Sequence, residues 1–317
     1  MSLQQWENYY RSGRLATGPA GPDGLYDQEI RAAWEEFFAL LPAEGRLLDI
    51  GTGNGVVPLI ALQTAQRHGV CWHIDATDFA LIDPPRDVPD GRARFAGVRF
   101  HPGVRSERLP FDAHTFDAVS GHYALEYGDI TASLAEVARV LKAGGNAQFV
   151  LHHADSLLVR SARSALLDCD LVFKQSRLHR KLRRLLTAES GDATTLRHAS
   201  DELVAAIRGL RAALGERRAR GESGQVLEVA LDAARSLLGL RSQMRPDRLG
   251  LEIDRAEEDL RTSARRLNDL VEHALDDEAL AAVLAEAVGL GFKVAHAGPL
   301  LHDRDHLVGW QVRLKRS

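Results

Sequence analysis

Apolar and polar positions follow two different periods along this chain, and the change between them divides it into regions. The first half begins with a stretch of helical spacing at 27–41. From there to about Val150, short apolar runs alternate with stretches in which apolar residues recur at helical spacing. Alternating strands and helices predict a parallel sheet with right-handed crossover connections. The expected fold class is therefore α/β, with a doubly wound sheet that is mostly parallel.

The strand pattern is lost from about residue 156 to residue 276, where only helical stripes remain. Apolar residues recur at helical spacing in three stretches, 203–214, 226–237 and 249–271. We expect a large α-helical insertion of antiparallel helices after the fifth strand. The third stripe could also form the seam of a homodimer, although packing within the insertion is the favoured interpretation.

Strand and helix patterns return at the end of the chain. A helix is predicted over 277–290, followed by an antiparallel pair of strands at 292–297 and 307–314. The predicted domains are an N-terminal segment with the first part of the sheet at 1–156, a helical insertion at 157–275, and the last helix with the closing strands at 276–317.

A glycine-rich turn follows the first predicted strand and opens a helix. It contains Gly51, Gly53 and Gly55, and only glycine lets a backbone turn so tightly while a ligand approaches it closely. A dinucleotide-binding turn would need its third glycine at position 56, which is Val. Asp49 precedes the turn and points to a cationic or amine-bearing ligand rather than a pyrophosphate.

Three further segments follow in a fixed order. The strand 70–79 ends in acidic residues, 108–119 contains Leu-Pro-Phe followed by Phe-Asp-Ala-Val, and 136–151 contains Leu-Lys-Ala-Gly-Gly. Together with the glycine turn, they resemble the motifs of the class I S-adenosylmethionine (SAM)-dependent methyltransferases. The resemblance covers roughly residues 30–155, with Ala143 in place of the usual proline.

The resemblance implies a Rossmann-like methyltransferase sheet, with an antiparallel last strand, that binds SAM as its cofactor. It places cofactor contacts at Asp49, Gly51, Thr52, Gly53, Asn54, Gly55, Asp78, Phe79, Arg105, Ser106 and His122. For the ribose hydroxyls, Asp78 is favoured over Asp75, because its surroundings look like the family's strand-end pattern.

The adenine contact departs from the family pattern. The family often places a carboxylate a few residues before Leu-Pro-Phe, but this chain has Arg105 there. Because arginine cannot accept a hydrogen bond, adenine recognition would fall to Ser106, Glu107 or backbone groups.

The loops after the fourth and fifth strands are expected to lie beside the transferred methyl group. His122 or Tyr123 could contact the methionine part or the substrate, and His152 or His153 could act as a general base, with His153 slightly favoured. An imidazole titrates near pH ~6.5 before any perturbation. Cofactor-wall packing and helix capping are the alternatives. Adjacent histidines on a strand point to opposite faces, so no metal site is expected.

Composition limits the partners. The net charge of −4 argues against general nucleic-acid affinity, no apolar run approaches the ~20 residues that span a bilayer, and no signal peptide is recognisable. Two cysteines, with Cys71 in a predicted buried strand, suit a reduced, cytoplasmic protein. The basic run 174–184 could bind RNA or an anionic substrate, but a solvated helix face explains it better.

The leading hypothesis is a methyltransferase for a small, partly apolar acceptor, reacting by in-line displacement, with the helical insertion as a lid. Oxygen is the favoured acceptor atom, and nitrogen and carbon stay open. One alternative is an RNA or protein methyltransferase that docks through the basic run. Another is a non-catalytic SAM-binding interaction protein.

Overall fold

A computed structural model describes residues 4–11, 13–188 and 193–317. The chain divides into two compact units, one formed by Met1–Arg160 with Asp269–Ser317 and the other by Ser161–Asn268. We call them the sheet unit and the helical unit.

Within the described residues, the sheet unit contains one seven-stranded sheet in the order β3-β2-β1-β4-β5-β7-β6. The strands are β1 (Arg46–Ile50), β2 (His73–Asp78), β3 (Val98–Pro102), β4 (Phe116–His122), β5 (Leu141–Leu151), β6 (Phe292–His302) and β7 (His306–Arg316). The first five strands pair in parallel, and β7 is antiparallel to both β5 and β6. The predicted α/β fold, mostly parallel with an antiparallel closing strand, is confirmed.

The helices are α1 (Gln4–Tyr10), α2 (Gln28–Phe38), α3 (Val56–His68), α4 (Pro84–Asp87), α5 (Gly91–Arg94), α6 (Ile130–Val140), α7 (Leu157–Asp170), α8 (Leu178–Leu186), α9 (Ala193–Ala219), α10 (Gln225–Gly239), α11 (Pro246–His273) and α12 (Asp277–Gly289). Helices α2 and α3 contribute Trp34 and Ile60 to the core on one face of the sheet. Helices α6 and α12 contribute Val137 and Val283 to a second core cluster with the sheet. The sheet is therefore enclosed by two helical layers.

The carboxyl ends of the central parallel strands bring four loops to one edge of the sheet. Strand β1 ends at Ile50, β2 at Asp78, β4 at His122 and β5 at Leu151. In an open α/β sheet this is the edge at which ligands bind. The residues singled out from the sequence therefore lie at the ligand-binding edge.

The helical unit has a core of its own, and its described residues include no strand. In α8, the side chains of Leu178, Leu182 and Leu185 are buried, and the basic residues between them face outward or partly outward. The helical character predicted for the insertion is therefore confirmed for its described residues. Across the described part of the chain, no helix combines the length and the apolarity that a membrane crossing requires.

One expectation about a cysteine is wrong. Cys71 is exposed and lies outside the sheet, because β2 begins only at His73. Its backbone N–H donates instead to the carbonyl of Ala43, in the loop before β1. The apolar run that begins at Val70 therefore starts before the strand it predicted.

Candidate functional site

The glycine turn between β1 and α3 is held in a conformation that favours glycine. Gly51, Gly53 and Gly55 have φ angles of +61°, +52° and +81°. The turn is fixed to the neighbouring strand because the Thr52 N–H donates to the Thr77 carbonyl over 3.0 Å. Left-handed backbone is costly for residues that carry a Cβ, so the sequence requires glycine here.

The same three glycines also allow close packing. An added Cβ would lie 2.2 Å from Ala124 Cβ at Gly51, 2.7 Å from Tyr10 Cε1 at Gly53 and 2.6 Å from Phe95 Cε1 at Gly55. All three distances are too short for a Cβ contact. The turn is thus fixed by both its φ angles and its surroundings.

We predict that Gly51→Ala destabilises the protein by about 2–5 kcal/mol, because it adds a steric clash to a left-handed backbone strain of about 1–2 kcal/mol. Gly144→Ala is the matched control, since Gly144 has φ +76° but nothing within 4 Å of an added Cβ. Denaturant unfolding of both variants separates strain from clash. Equal losses in the two variants would contradict the role of the Ala124 contact.

A buried carboxylate lies at the end of β1. Asp49 is 1% exposed and its Oδ1 accepts a hydrogen bond from Ser120 Oγ over 2.6 Å. Burial raises the pKa of the Asp49 carboxyl to about 7. A carboxylate that is poorly solvated in this way gains strongly from a cationic partner.

A second buried carboxylate lies at the end of β2. Asp78 accepts the N–H of Gly53 on Oδ2 and the N–H of Ala80 on Oδ1, both over 2.8 Å. Burial raises the pKa of the Asp78 carboxyl to about 6. The structure therefore places Asp78 directly against the glycine turn.

Asp75, the alternative to Asp78, lies in a cluster of basic side chains. Its carboxylate is 2.9 Å from His101 Nε2, 3.4 Å from Arg99 Nε and 3.5 Å from Arg46 Nη2. These contacts account for Asp75 within the fold.

Helix α1 covers the glycine turn. Asn54 Nδ2 donates to the carbonyls of Tyr10 and Arg14 over 2.8 and 2.7 Å, and the Tyr10 ring lies against Gly53. Trp6 stacks on Tyr10 with ring centroids 6.1 Å apart. Tyr10, with Trp6 stacked on it, therefore packs over the turn.

The residues considered for adenine recognition lie after β2 and β3. The Arg105 guanidinium stacks over the Phe79 ring at 4.5 Å, and Ser106 Oγ accepts a hydrogen bond from Ser133 Oγ over 2.9 Å. The Glu107 carboxylate accepts the N–H of Asp129 over 3.2 Å at the start of α6. The Phe79 ring and the Arg105 guanidinium thus form one stacked surface, and the Glu107 carboxylate contacts the backbone at the start of α6.

His122 lies at the end of β4 within an aromatic cage. Trp34 Nε1 donates to His122 Nδ1 over 3.0 Å, and the Tyr26 ring stacks on the imidazole at 4.1 Å. Burial holds the pKa of the His122 imidazole well below its usual range, so the ring is neutral. Because Nδ1 accepts, the proton is assigned to Nε2, which is buried and has no hydrogen-bond partner in the described residues.

Tyr123 and His152 form a stacked pair at the ends of β4 and β5. Their ring centroids are 3.9 Å apart, and the Tyr123 hydroxyl donates to the Val308 carbonyl over 2.6 Å. Burial lowers the pKa of the His152 imidazole to about 3, far below the unperturbed value expected from the sequence. His152 Nδ1 is buried and makes no hydrogen bond within residues 4–11, 13–188 and 193–317.

Glu126 contacts the backbone of His152. Its Oε1 accepts the backbone N–H of His152 over 2.8 Å, and its side chain is buried. Burial raises the pKa of the Glu126 carboxyl to about 7. Its Oε2 is buried without a hydrogen-bond partner among the residues described. The sequence contained this glutamate in a segment already singled out, but nothing in the local pattern distinguished it.

His153 faces a different environment from His152. Its ring stacks on Trp310 at 4.1 Å, and its Nδ1 accepts the backbone N–H of Asp155 over 2.9 Å. Burial lowers the pKa of the His153 imidazole. In the part of the chain that is described, no group of three His, Cys, Asp or Glu side chains is arranged to hold a metal ion.

Comparison with known proteins identifies the segment that contains the glycine turn, Asp49 and Asp78. Residues 48–149 match the family model described as a methyltransferase domain. An uncharacterized methyltransferase of Bacillus subtilis (strain 168), YcgJ, is 36% identical over 137 residues, which cover 40% of this chain and 51% of that protein. Residues 48–149 form a class I SAM-dependent methyltransferase domain. The predicted family is therefore confirmed, although the chain spans only about half the length of this curated relative.

Two solved methyltransferase structures are also similar to the chain. One, from Mesorhizobium loti, is 14% identical and covers 91% of this chain and 100% of its own, with a TM-score of 0.42. The other, the geranyl diphosphate C-methyltransferase from Streptomyces coelicolor A3(2), is 18% identical and covers 47% of this chain and 64% of its own, with a TM-score of 0.35.

The methyltransferase domain has the groups that SAM requires. Asp49 and Asp78 are buried carboxylates, and burial raises the pKa of each. They flank the glycine turn, in which Gly51 packs closely against Ala124 and Gly53 against Tyr10. Asp49 accepts the Ser120 hydroxyl and Asp78 accepts two backbone N–H groups, and each carboxylate oxygen has a further lone pair. An ammonium and a pair of ribose hydroxyls could donate to these lone pairs, so the residues fit the cofactor.

Proposed function

We propose that the protein transfers the methyl group of SAM to a small, partly apolar acceptor. The observation that carries this proposal is the pair of buried carboxylates, Asp49 and Asp78, on either side of the glycine turn in a methyltransferase domain. When bound, SAM supplies a methyl group on a sulfonium, which is already a good leaving group.

The chain's own residues would hold the cofactor by charge and by shape. Asp49 would accept hydrogen bonds from the amino group of the methionine part, and Asp78 those of the ribose hydroxyls. Phe79 and Arg105 would pack against the adenine, and Ser106 would offer it a hydroxyl. Thr52 and Asn54 would hold the turn in place. Thr52 contacts the neighbouring strand through its backbone N–H, and Asn54 contacts the N-terminal segment through its side chain.

The residues beside His122 would position the acceptor. Tyr26, Tyr123 and Tyr127 line the surroundings of His122 and His152 with aromatic rings. This composition favours a partly apolar acceptor, and His122 Nε2–H can donate a hydrogen bond to a polar atom on it. Alignment of acceptor and methyl group can lower the activation free energy by about 7–11 kcal/mol.

Proton removal from a hydroxyl acceptor needs a base with a pKa near the working pH. Glu126, with a pKa of about 7, matches this requirement better than His152, with a pKa of about 3. We propose that Glu126 is the base, that His152 offers Nδ1 as a hydrogen-bond acceptor, and that Tyr123 positions His152. His153 stays a candidate base, although its Nδ1 is engaged by the Asp155 backbone.

The proposal is tested by measuring SAM binding calorimetrically and transfer of labelled methyl to a panel of acceptors. The panel contains small phenols, carboxylic acids, amines and a short RNA. Binding with transfer to a small hydroxyl compound is the expected result. Binding without transfer to any member would favour a non-catalytic SAM-binding protein, and transfer to the RNA alone would overturn the small-molecule assignment.

A further inference from the structure

A cavity of about 520 Å³ lies within the helical unit. Its wall is formed by the π-helical turn Leu171–Gln175, the first turn of α8 and part of α11. The volume is in the range of small-molecule sites. None of its lining residues belongs to the methyltransferase domain.

The cavity carries more positive charge than its neighbours neutralise. Three of its five lysine and arginine side chains pair with carboxylates: Lys174 with Asp170, Arg183 with Asp254 and Arg261 with Glu257. The other two, Arg177 and Arg180, have no carboxylate partner among the described residues. The wall therefore presents two unneutralised guanidinium groups.

A buried polar side chain in the same wall also lacks a partner. His179 is 4% exposed, lines the cavity and makes no hydrogen bond or ion pair within the described ranges. Burial lowers the pKa of its imidazole, so the ring is neutral and can donate from one nitrogen and accept at the other. The ring nitrogens of His179 are not fully enclosed by protein, so a ligand in the cavity could hydrogen-bond them.

An apolar surface adjoins these polar groups. The Phe173 ring lies 5.8 Å from the His179 ring in a stacked arrangement, and the Arg261 guanidinium lies 4.4 Å above Phe173. Phe173 also lines the cavity. The cavity thus combines a flat aromatic group with cations and one hydrogen-bonding imidazole.

We propose that this cavity binds a small phosphate monoester that carries a flat apolar group. Arg177 and Arg180 would contact the phosphate, whose charge of about −1.5 to −2 at neutral pH balances the two unpaired guanidinium groups. His179 would hydrogen-bond the ester, and Phe173 would pack against the apolar group. A nucleic acid is disfavoured because it needs a longer track of unpaired cations than two arginines provide.

The proposal is tested with the full chain and two probes, phenyl phosphate and inorganic phosphate, titrated by calorimetry. Phenyl phosphate is expected to bind saturably and more tightly than inorganic phosphate, because only phenyl phosphate reaches Phe173. Arg180→Gln and Arg177→Asn should each weaken phenyl phosphate binding by about tenfold or more, since each removes one charge-assisted contact. Asn is used at 177 because the residue has φ +50°, which asparagine tolerates.

The matched control is Arg184→Gln. Arg184 lies on the same helix, is exposed, pairs with Glu202 and does not line the cavity. Its replacement removes one positive charge but should leave phenyl phosphate binding unchanged. Thermal melting confirms that all variants are folded.

Three outcomes would overturn the proposal. The first is no saturable heat with phenyl phosphate. The second is equal weakening in Arg180→Gln and Arg184→Gln, which would mean general electrostatic attraction rather than a site. The third is that a 12-nucleotide single-stranded RNA binds more tightly than phenyl phosphate and loses affinity in the same variants.

Discussion

Replacing Asp49 by asparagine is expected to weaken SAM binding by about 10–100-fold, because it removes a buried charge-assisted contact to the amino group. The amide keeps an Oδ1 that accepts from Ser120 Oγ, so the fold around it is preserved. Burial of the carboxylate disfavours its charged form, so the ligand-free variant should be no less stable at neutral pH than the parent. Calorimetric titration with SAM and thermal melting measure the two effects separately.

Asp75→Asn is the matched control for this prediction. Asp75 is also a buried aspartate of the sheet, but it contacts His101, Arg99 and Arg46. Its replacement should lower the stability and leave SAM affinity unchanged. A larger loss of affinity in Asp75→Asn than in Asp49→Asn would contradict the assignment of the cofactor site.

The pH dependence provides an independent measurement of the same group. The pKa of Asp49 in the folded protein, about 7, is raised above its value of about 3.9 in the unfolded chain. Asp49 therefore holds more protons in the folded than in the unfolded chain between these values, and its contribution to the stability falls as pH rises from about 4 to about 7. SAM affinity should rise over the upper part of that window as Asp78 and Asp49 ionise, and Asp49→Asn should lose the part of this rise that is centred near pH 7.

The sequence predicted the parts of the site that depend on local pattern. The glycine turn and Asp49 lie next to each other in the chain, and the strand that precedes them is a buried apolar run. The spacing of the glycines therefore follows from the left-handed backbone conformation that the turn requires. Asp78 is favoured because its surroundings look like the family's strand-end pattern, and β2 does end at this residue.

Contacts between distant segments could not be predicted in this way. Trp34 donates to His122, and His153 stacks on Trp310, although nothing in the sequence around these histidines indicates either partner. Burial by the surrounding fold, with His273 as a second cause, lowers the pKa of the His152 imidazole to about 3, and Tyr123 stacks on its ring. Local patterns locate a side chain on an element, whereas its pKa depends on what packs around it.

Replacing Glu126 by glutamine is expected to lower the turnover number by about 10²–10⁴-fold at saturating SAM, because the amide cannot take a proton from the acceptor. Glutamine keeps a carbonyl oxygen to accept the His152 N–H, so SAM affinity and thermal stability should change little. The parent turnover number should rise with pH through about 7, where Glu126 ionises, and this rise should be lost in the variant.

Two histidine variants make this test specific. If His152 were the base, its pKa of about 3 would leave the rate independent of pH between 6 and 8, and His152→Ala would remove turnover. If His153 were the base, His153→Ala would remove both turnover and the pH-dependent rise, while Glu126→Gln would keep them. With Glu126 as the base, His153→Ala should mainly lower stability, because it removes the stacking contact with Trp310. Saturating SAM is essential to the comparison, because cofactor binding holds Asp49 ionised and leaves Glu126 as the carboxyl that titrates near pH 7.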